Sequence, residues 1–199
     1  MKLTERLPTS VEIVGEMYAI KTDFRDILRY DDLIRGQDDG SMVLKAISIL
    51  LGDDILQKSD ISVDMVVDAV GWFVQRGESE QKNTLPRASL GLNNAIPMDF
   101  RKDAALIYTA FLQTYKIDLY DISYLHWWKF NWMLEDISSV CRLSKVIEYR
   151  TIDTKNKNLS KEQKKAYTAL QRYFRIQEKR TREDEVIVQA LLEGRDPFT

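Results

Sequence analysis

The chain has 199 residues, 44% apolar and 30% charged, and its 29 lysines and arginines against 31 aspartates and glutamates leave a net charge of -2. That allows one domain or two small ones with a real core, and argues against a protein that grips polyanions with its whole surface. With Cys141 the single cysteine, an internal disulfide and a cysteine-based structural zinc site are excluded, and a reducing compartment is expected.

The first element is a short hairpin from Val11 to Ile20, where β-branched residues flank a turn at Val14–Glu16 that contains Gly15. Asp23 then opens a helix that places Phe24, Ile27, Leu28 and Ile34 on one face, and the glycines and aspartates from Gly36 to Gly40 end it. Asp31 and Asp32 lack the spaced oxygen ligands of a calcium loop and read as a solvated face. A second helix runs from Ser41 through Val43, Ala46, Ile47, Leu50 and Leu51 to Gly52. A third is capped by Ser62, buries Val63, Val66, Val67, Val70, Phe73 and Val74, and ends at Gly77 in a left-handed conformation.

Residues 78–97 are polar, hold two of the four prolines and show little periodicity, which predicts a linker or mobile loop. Beyond it Asp99 is placed to cap a long helix with Phe100, Ala104, Ile107, Tyr108, Phe111 and Tyr115 in one stripe. Asp121 is placed to cap the next, Ile122 to Glu135, so that the two form an antiparallel pair joined through Ile117–Asp121. That second helix is apolar around most of its circumference and carries Tyr124-Leu-His-Trp-Trp-Lys-Phe130, four aromatics and the only histidine. A core role follows from the area such side chains bury. Tyr124, Trp127, Trp128 and Lys129 are the candidate partner-binding residues, Lys129 marking the exposed edge, since exposed aromatics mark interfaces. His126 lacks a carboxylate or thiol at ligand spacing and reads as a packed or surface histidine.

Ser144 starts a shorter helix to about Ile152, Ser160 with Gln163 forms a capping box for a helix to about Gln177, and Thr181 opens the last helix, which Gly194 and Pro197 end. Between Lys155 and Arg182 ten basic residues stand against two acids, a segment able to contact phosphates. Tyr167, Tyr173 and Phe174 share the apolar stripe with Leu170 and are expected to point inward, which favours a solvated face or a docking surface over a nucleic-acid site. The expected fold is mainly α, with two helical subdomains, residues 1–76 with the hairpin and residues 98–199, joined by 77–97.

The sequence has no phosphate-binding loop, dinucleotide turn, nucleophile elbow or histidine pair. Glu148, Tyr149 and Arg150 are the one polar trio to consider, and adjacent helical residues diverge. No catalytic, cofactor or metal residues are assigned, and the protein is read as a non-enzyme. No apolar run approaches the roughly 20 residues of a membrane span. The amino terminus lacks a secretory core, so a cytoplasm is expected.

The stretches Asp23–Ile34, Asp103–Tyr108, Phe111–Gln113, Ile117–Leu119, Tyr124–Phe130, Leu143–Arg150 and Leu159–Gln163 together resemble the bacteriophage gene product fifteen family. The Tyr-Leu-His-Trp-Trp-Lys-Phe string is the most specific of them. The resemblance implies a protein of long-tailed phages and prophages of Gram-positive hosts, encoded between tail tube and tape measure. It implies a tail assembly chaperone that keeps the long apolar tape measure soluble in the host cytoplasm and is absent from the mature virion. The tape measure protein is then the expected partner, with the tail tube protein and self-association beside it, and helix-in-groove binding the expected mode. The alternatives are a nucleic-acid-associated protein using residues 155–182 and a structural tail component.

Overall fold

In the computed structural model residues 3–35, 40–77 and 90–176 are described, and among them the chain forms one two-stranded antiparallel sheet and seven α-helices. Strands β1 (Ser10–Ile13) and β2 (Glu16–Ala19) pair with Ile13 opposite Glu16. Val14 and Gly15 form the turn between them, at φ +52° and +78°. Two successive positive φ values match the twist of a hairpin. Gly15 adopts its value freely, whereas a β-branched valine in the left-handed region is strained.

Helix α1 (Phe24–Ile34) begins where the Asp23 carboxylate accepts the Arg25 N–H. Helix α2 (Gly40–Leu51) buries Ala46, Ile47 and Leu50, and a 3-10 turn at Asp54–Gln57 buries Ile55. Helix α3 (Val63–Val74) starts on the Ser62 hydroxyl, which accepts the Met65 N–H. At its far end Arg76, not Gly77, takes the first left-handed position (φ +64°), and Gly77 follows at φ +68°. The Gly77 N–H reaches back to Trp72 O and the Arg76 N–H to Phe73 O, the paired bonds of a Schellman ending.

The second half departs from the sequence reading in four places. Helix α4 (Ala104–Tyr115) starts four residues later than a cap at Asp99 predicts. Asp99 instead closes a turn, accepting the N–H groups of Arg101 and Lys102, while Asp103 is held by other partners. Helix α5 spans only Trp127–Glu135, capped by His126 rather than Asp121. The preceding residues are non-helical, with a turn closed by Ile122 N–H on Asp118 O, and His126 makes an antiparallel bridge with Asp23. Helix α6 (Arg142–Thr151) begins after Cys141, whose buried sulfur, rather than Ser144, takes the cap position. Finally, α4 and α5 run the same way rather than antiparallel. Phe100, just ahead of α4, meets Trp127 at the start of α5, and the Tyr115 hydroxyl at the end of α4 donates to Met133 O near the end of α5. The eleven-residue return through residues 116–126 makes this possible, since only a short loop would force the helices antiparallel.

Helix α7 (Lys161–Phe174) carries the expected capping box of Ser160 and Gln163. None of its residues is fully buried. Tyr167 and Phe174 pack on Tyr149, but Tyr173 is 81% exposed rather than directed inward. The last predicted helix, the end of the basic segment beyond residue 176, and residues 78–89 of the predicted linker lie outside the described residues. The rest of that linker is anchored: Asn93 N–H donates to Thr151 O, Asp153 N–H donates to Gly91 O, and Leu92 bridges Ile152.

The described parts of residues 1–76 and 98–199 feed one hydrophobic cluster, in which Val11, Phe24, Ile47 and Phe73 stand beside Phe111, Phe130 and Leu143. A buried ion pair ties the far end of this core. The Arg150 guanidinium donates to both Asp103 oxygens at 2.6 and 2.8 Å, and also to Phe174 O and Pro97 O. Asp103 and Arg150 are only 2% and 7% exposed. The fork and the carboxylate are thus satisfied on several sides, as buried charges must be.

Removing one partner leaves the other charge buried and unpaired. Asp103→Ala and Arg150→Ala should each lose about 3–5 kcal/mol, whereas Asp103→Leu combined with Arg150→Met should lose much less than the two singles together. Urea unfolding of all four proteins measures this, and additive losses in the double variant would contradict the pairing.

Candidate partner-binding surface

Of the four residues singled out for partner binding, the structure places two in the core and two outside it. Trp127 and Trp128 are each 4% exposed, Tyr124 is 51% exposed, and Lys129 is exposed on the outer side of α5. The Tyr124 hydroxyl is engaged at 2.7 Å with that of Thr22. Burial of both rings follows from where α5 starts. With Trp127 and Trp128 in its first turn, both indole N–H groups reach the C-terminus of α3.

Trp127 Nε1 donates to Val74 O and Trp128 Nε1 to Phe73 O, each at 2.8 Å. These carbonyls belong to the last turn of α3, where no further helical N–H is available. Buried tryptophan needs an acceptor for its one donor, so each group satisfies the other. Phe130, one turn on, stacks with Phe24 at 4.7 Å and Phe111 at 5.1 Å between ring centroids, which brings α1, α4 and α5 together. Trp128 packs edge-on against Trp72 of α3.

His126 works as a cap. Its Nδ1 accepts the Trp128 N–H at 3.1 Å, and its Nε2 donates to Pro8 O at 3.0 Å. This pattern requires the neutral ring with the proton on Nε2. Burial pushes its pKa below the ordinary value; the Pro8 carbonyl opposes that shift, and Lys129 adds to it. No group of histidine, cysteine and acidic residues able to hold a metal occurs among the described residues. Glu148, Tyr149 and Arg150 diverge: Glu148 pairs with Lys145, Tyr149 stacks on Phe174, and Arg150 turns to Asp103.

The open apolar surface lies elsewhere, beside α3. Helix α3 buries Val66, Val70 and Phe73 and leaves Val63 and Val67 exposed on one flank of that stripe and Met65 and Trp72 exposed on the other, so α3 is apolar nearly all round and only partly covered. A helix of that composition is ordinarily covered on every side. Between α3 and the hairpin runs a groove of about 830 Å³, with Met65, Ala69 and Trp72 on one wall and β1, Val14 and Met17 on the other. Sequence patterning read Val63 and Val67 as part of the buried stripe, whereas both are exposed, and it assigned no place to Met65 or Trp72. The signal that could have separated them was the excess of apolar positions over what one buried stripe needs.

Two outcomes follow from this geometry. Trp127→Ala and Trp128→Ala should each lose about 3–5 kcal/mol, and Lys129→Ala less than about 0.5 kcal/mol, in thermal or denaturant unfolding. Tryptophan variants as stable as the parent would contradict the core assignment. His126 has a folded pKa below its unfolded one, so below the unfolded value the unfolded chain binds the extra proton and stability falls with pH. Unfolding free energy should therefore decline from pH 7.5 to 5.5, and His126→Asn, which keeps a capping side chain, should flatten that decline. An equal slope in the variant would show that His126 does not carry it.

Among the described residues no helix is long and apolar enough to cross a membrane. No curated protein and no solved structure matches the chain. The family model described as bacteriophage Gp15 protein matches residues 3–176, a span that takes in the hairpin, the tryptophan-capped end of α3, the buried ion pair and α7. The chain therefore belongs to the bacteriophage Gp15 protein family.

Proposed function

We propose that this phage protein is a tail assembly chaperone that binds the tape measure protein and keeps it soluble while the tail tube assembles. Membership of the family makes it a phage protein, and the uncovered apolar flank of α3 that carries Met65 and Trp72 beside the hairpin supports a partner. Methionine suits such a surface because its flexible side chain adapts to varied apolar shapes. The role is one of binding rather than catalysis. It belongs in the host cytoplasm during assembly, with the tail tube protein as a further partner, and ends before the virion is complete. The basic segment gives less support to a nucleic-acid role, since Tyr167 and Phe174 pack on Tyr149 and leave Tyr173 as the exposed ring among the described residues there.

Co-expression with the tape measure protein encoded by the same genome tests the reading. The expected result is a soluble complex that co-purifies, with the tape measure insoluble when made alone. A tape measure that is equally insoluble with and without this protein overturns the proposal, as does stoichiometric retention of this protein in purified virions.

A further inference from the structure

The Ile20 N–H donates to Thr9 O at 3.0 Å, which puts Thr9 and Ile20 at a hydrogen-bonded position of the ladder. Bonded and non-bonded pairs alternate along an antiparallel ladder. With Val11 opposite Tyr18 and Ile13 opposite Glu16, those residues face β2, and the backbone N–H and C=O groups of Ser10 and Glu12 point away from it. Among the described residues nothing pairs with these outward groups. Ser10 and Glu12 both line the groove beside α3. The groove therefore offers a free strand edge on one side and an apolar helical wall of Met65, Ala69 and Trp72 on the other.

A helix laid in this groove has its own backbone groups satisfied and leaves that edge unpaired. An extended chain pairs with it while sending alternate side chains toward the apolar wall. The charged residues lining the groove are Glu12 and Asp68, and none of the described lining residues is basic. We propose that the groove takes an extended apolar segment of a partner protein, carrying lysine or arginine next to its apolar residues, which adds to β1 as a third strand. A second copy of this chain fits poorly, because pairing β1 with β1 across a two-fold axis brings the Glu12 carboxylates of both copies together. The inference goes beyond the tape-measure reading and does not depend on which protein supplies the segment.

The probe is the synthetic peptide Val-Lys-Val-Lys-Val-Lys-Val, titrated into the isotope-labelled full chain and followed by nuclear magnetic resonance. The Ser10 and Glu12 amides and the Trp72 indole should shift on titration, and those two amides should exchange more slowly in the complex. Glu12→Pro removes one outward N–H and leaves the β1–β2 ladder intact, so it should weaken binding by about tenfold or more. Asp68→Lys should weaken it several-fold, and a peptide with glutamate in place of lysine should bind more weakly than the lysine peptide. Should Glu12→Pro fail to fold, the lysine peptide N-methylated at every residue, which leaves neither edge able to donate, is offered to the parent protein and should not bind. Any of four results overturns the proposal: no shift at those amides at millimolar peptide, equal binding by Glu12→Pro or of the fully N-methylated peptide, equal binding of the glutamate peptide, or Ser10 and Glu12 amides already protected in the free protein.

Discussion

Two indole N–H groups close the C-terminus of α3, and the rest of the fold is arranged so that they can. The last four carbonyls of a helix lack a helical donor. Here Gly71 O receives Gln75 N–H, Trp72 O receives Gly77 N–H, Phe73 O receives both Arg76 N–H and Trp128 Nε1, and Val74 O receives Trp127 Nε1. Local backbone thus supplies part of the cap and a distant helix the remainder. The rings that bring these donors also pack into the core, Trp128 on Trp72 and Phe73 and Trp127 on Phe100 and Phe130, so apolar burial and polar satisfaction are fixed by the same side chains. If Trp127 turned outward Val74 O would lose its indole donor, a cost comparable to a lost hydrogen bond, whereas Phe73 O would keep Arg76 N–H if Trp128 did the same.

The approach to α5 serves the same end. Residues 124–126 run beside the start of α1: Phe24 N–H donates to Leu125 O, Trp127 N–H to Thr22 O, and the Asp23 carboxylate accepts the Leu125 N–H while also capping α1. Arg25 adds donations to Leu119 O and Ile122 O. A helical 122–126 would need those backbone groups for itself. The segment is held straight by α1, and the first turn of α5 is delivered to α3 at the required height. On the other side of the core Asp103 and Arg150 play a comparable part with charge, joining the approach to α4, helix α6 and the end of α7.

Much of this was legible in the residue order. The helices α1 to α3, the Ser160–Gln163 box and the hairpin around Gly15 are local signals and appear as read, although Ile34, Val63 and Val67 of the expected apolar faces are exposed. Tyr124–Phe130 marked both the core and the family. The true start of α5 was hidden because histidine is an unusual cap and a short apolar run fits helix and strand alike. The Asp103–Arg150 pair spans 47 positions, beyond anything periodicity can report. Exposure was equally out of reach. Trp72 and Trp128 are both tryptophans in apolar helices, yet one lies half open on α3 and the other is enclosed by it.

The tie between the tryptophans and α3 also orders events on the ribosome. Trp127 follows Val74 by 53 positions, which at roughly 5–20 residues per second takes about 3–10 s to translate. During that interval the hairpin and the first three helices have emerged without the rings that seal them, and Pro8 waits still longer for His126, 118 positions away. The nascent amino-terminal half is thus a transient sticky intermediate, open to trigger-factor-like holdases or to nearby chains from the same messenger. Synonymous changes that slow decoding between α3 and α5 would lengthen that exposure without altering a single contact in the finished protein.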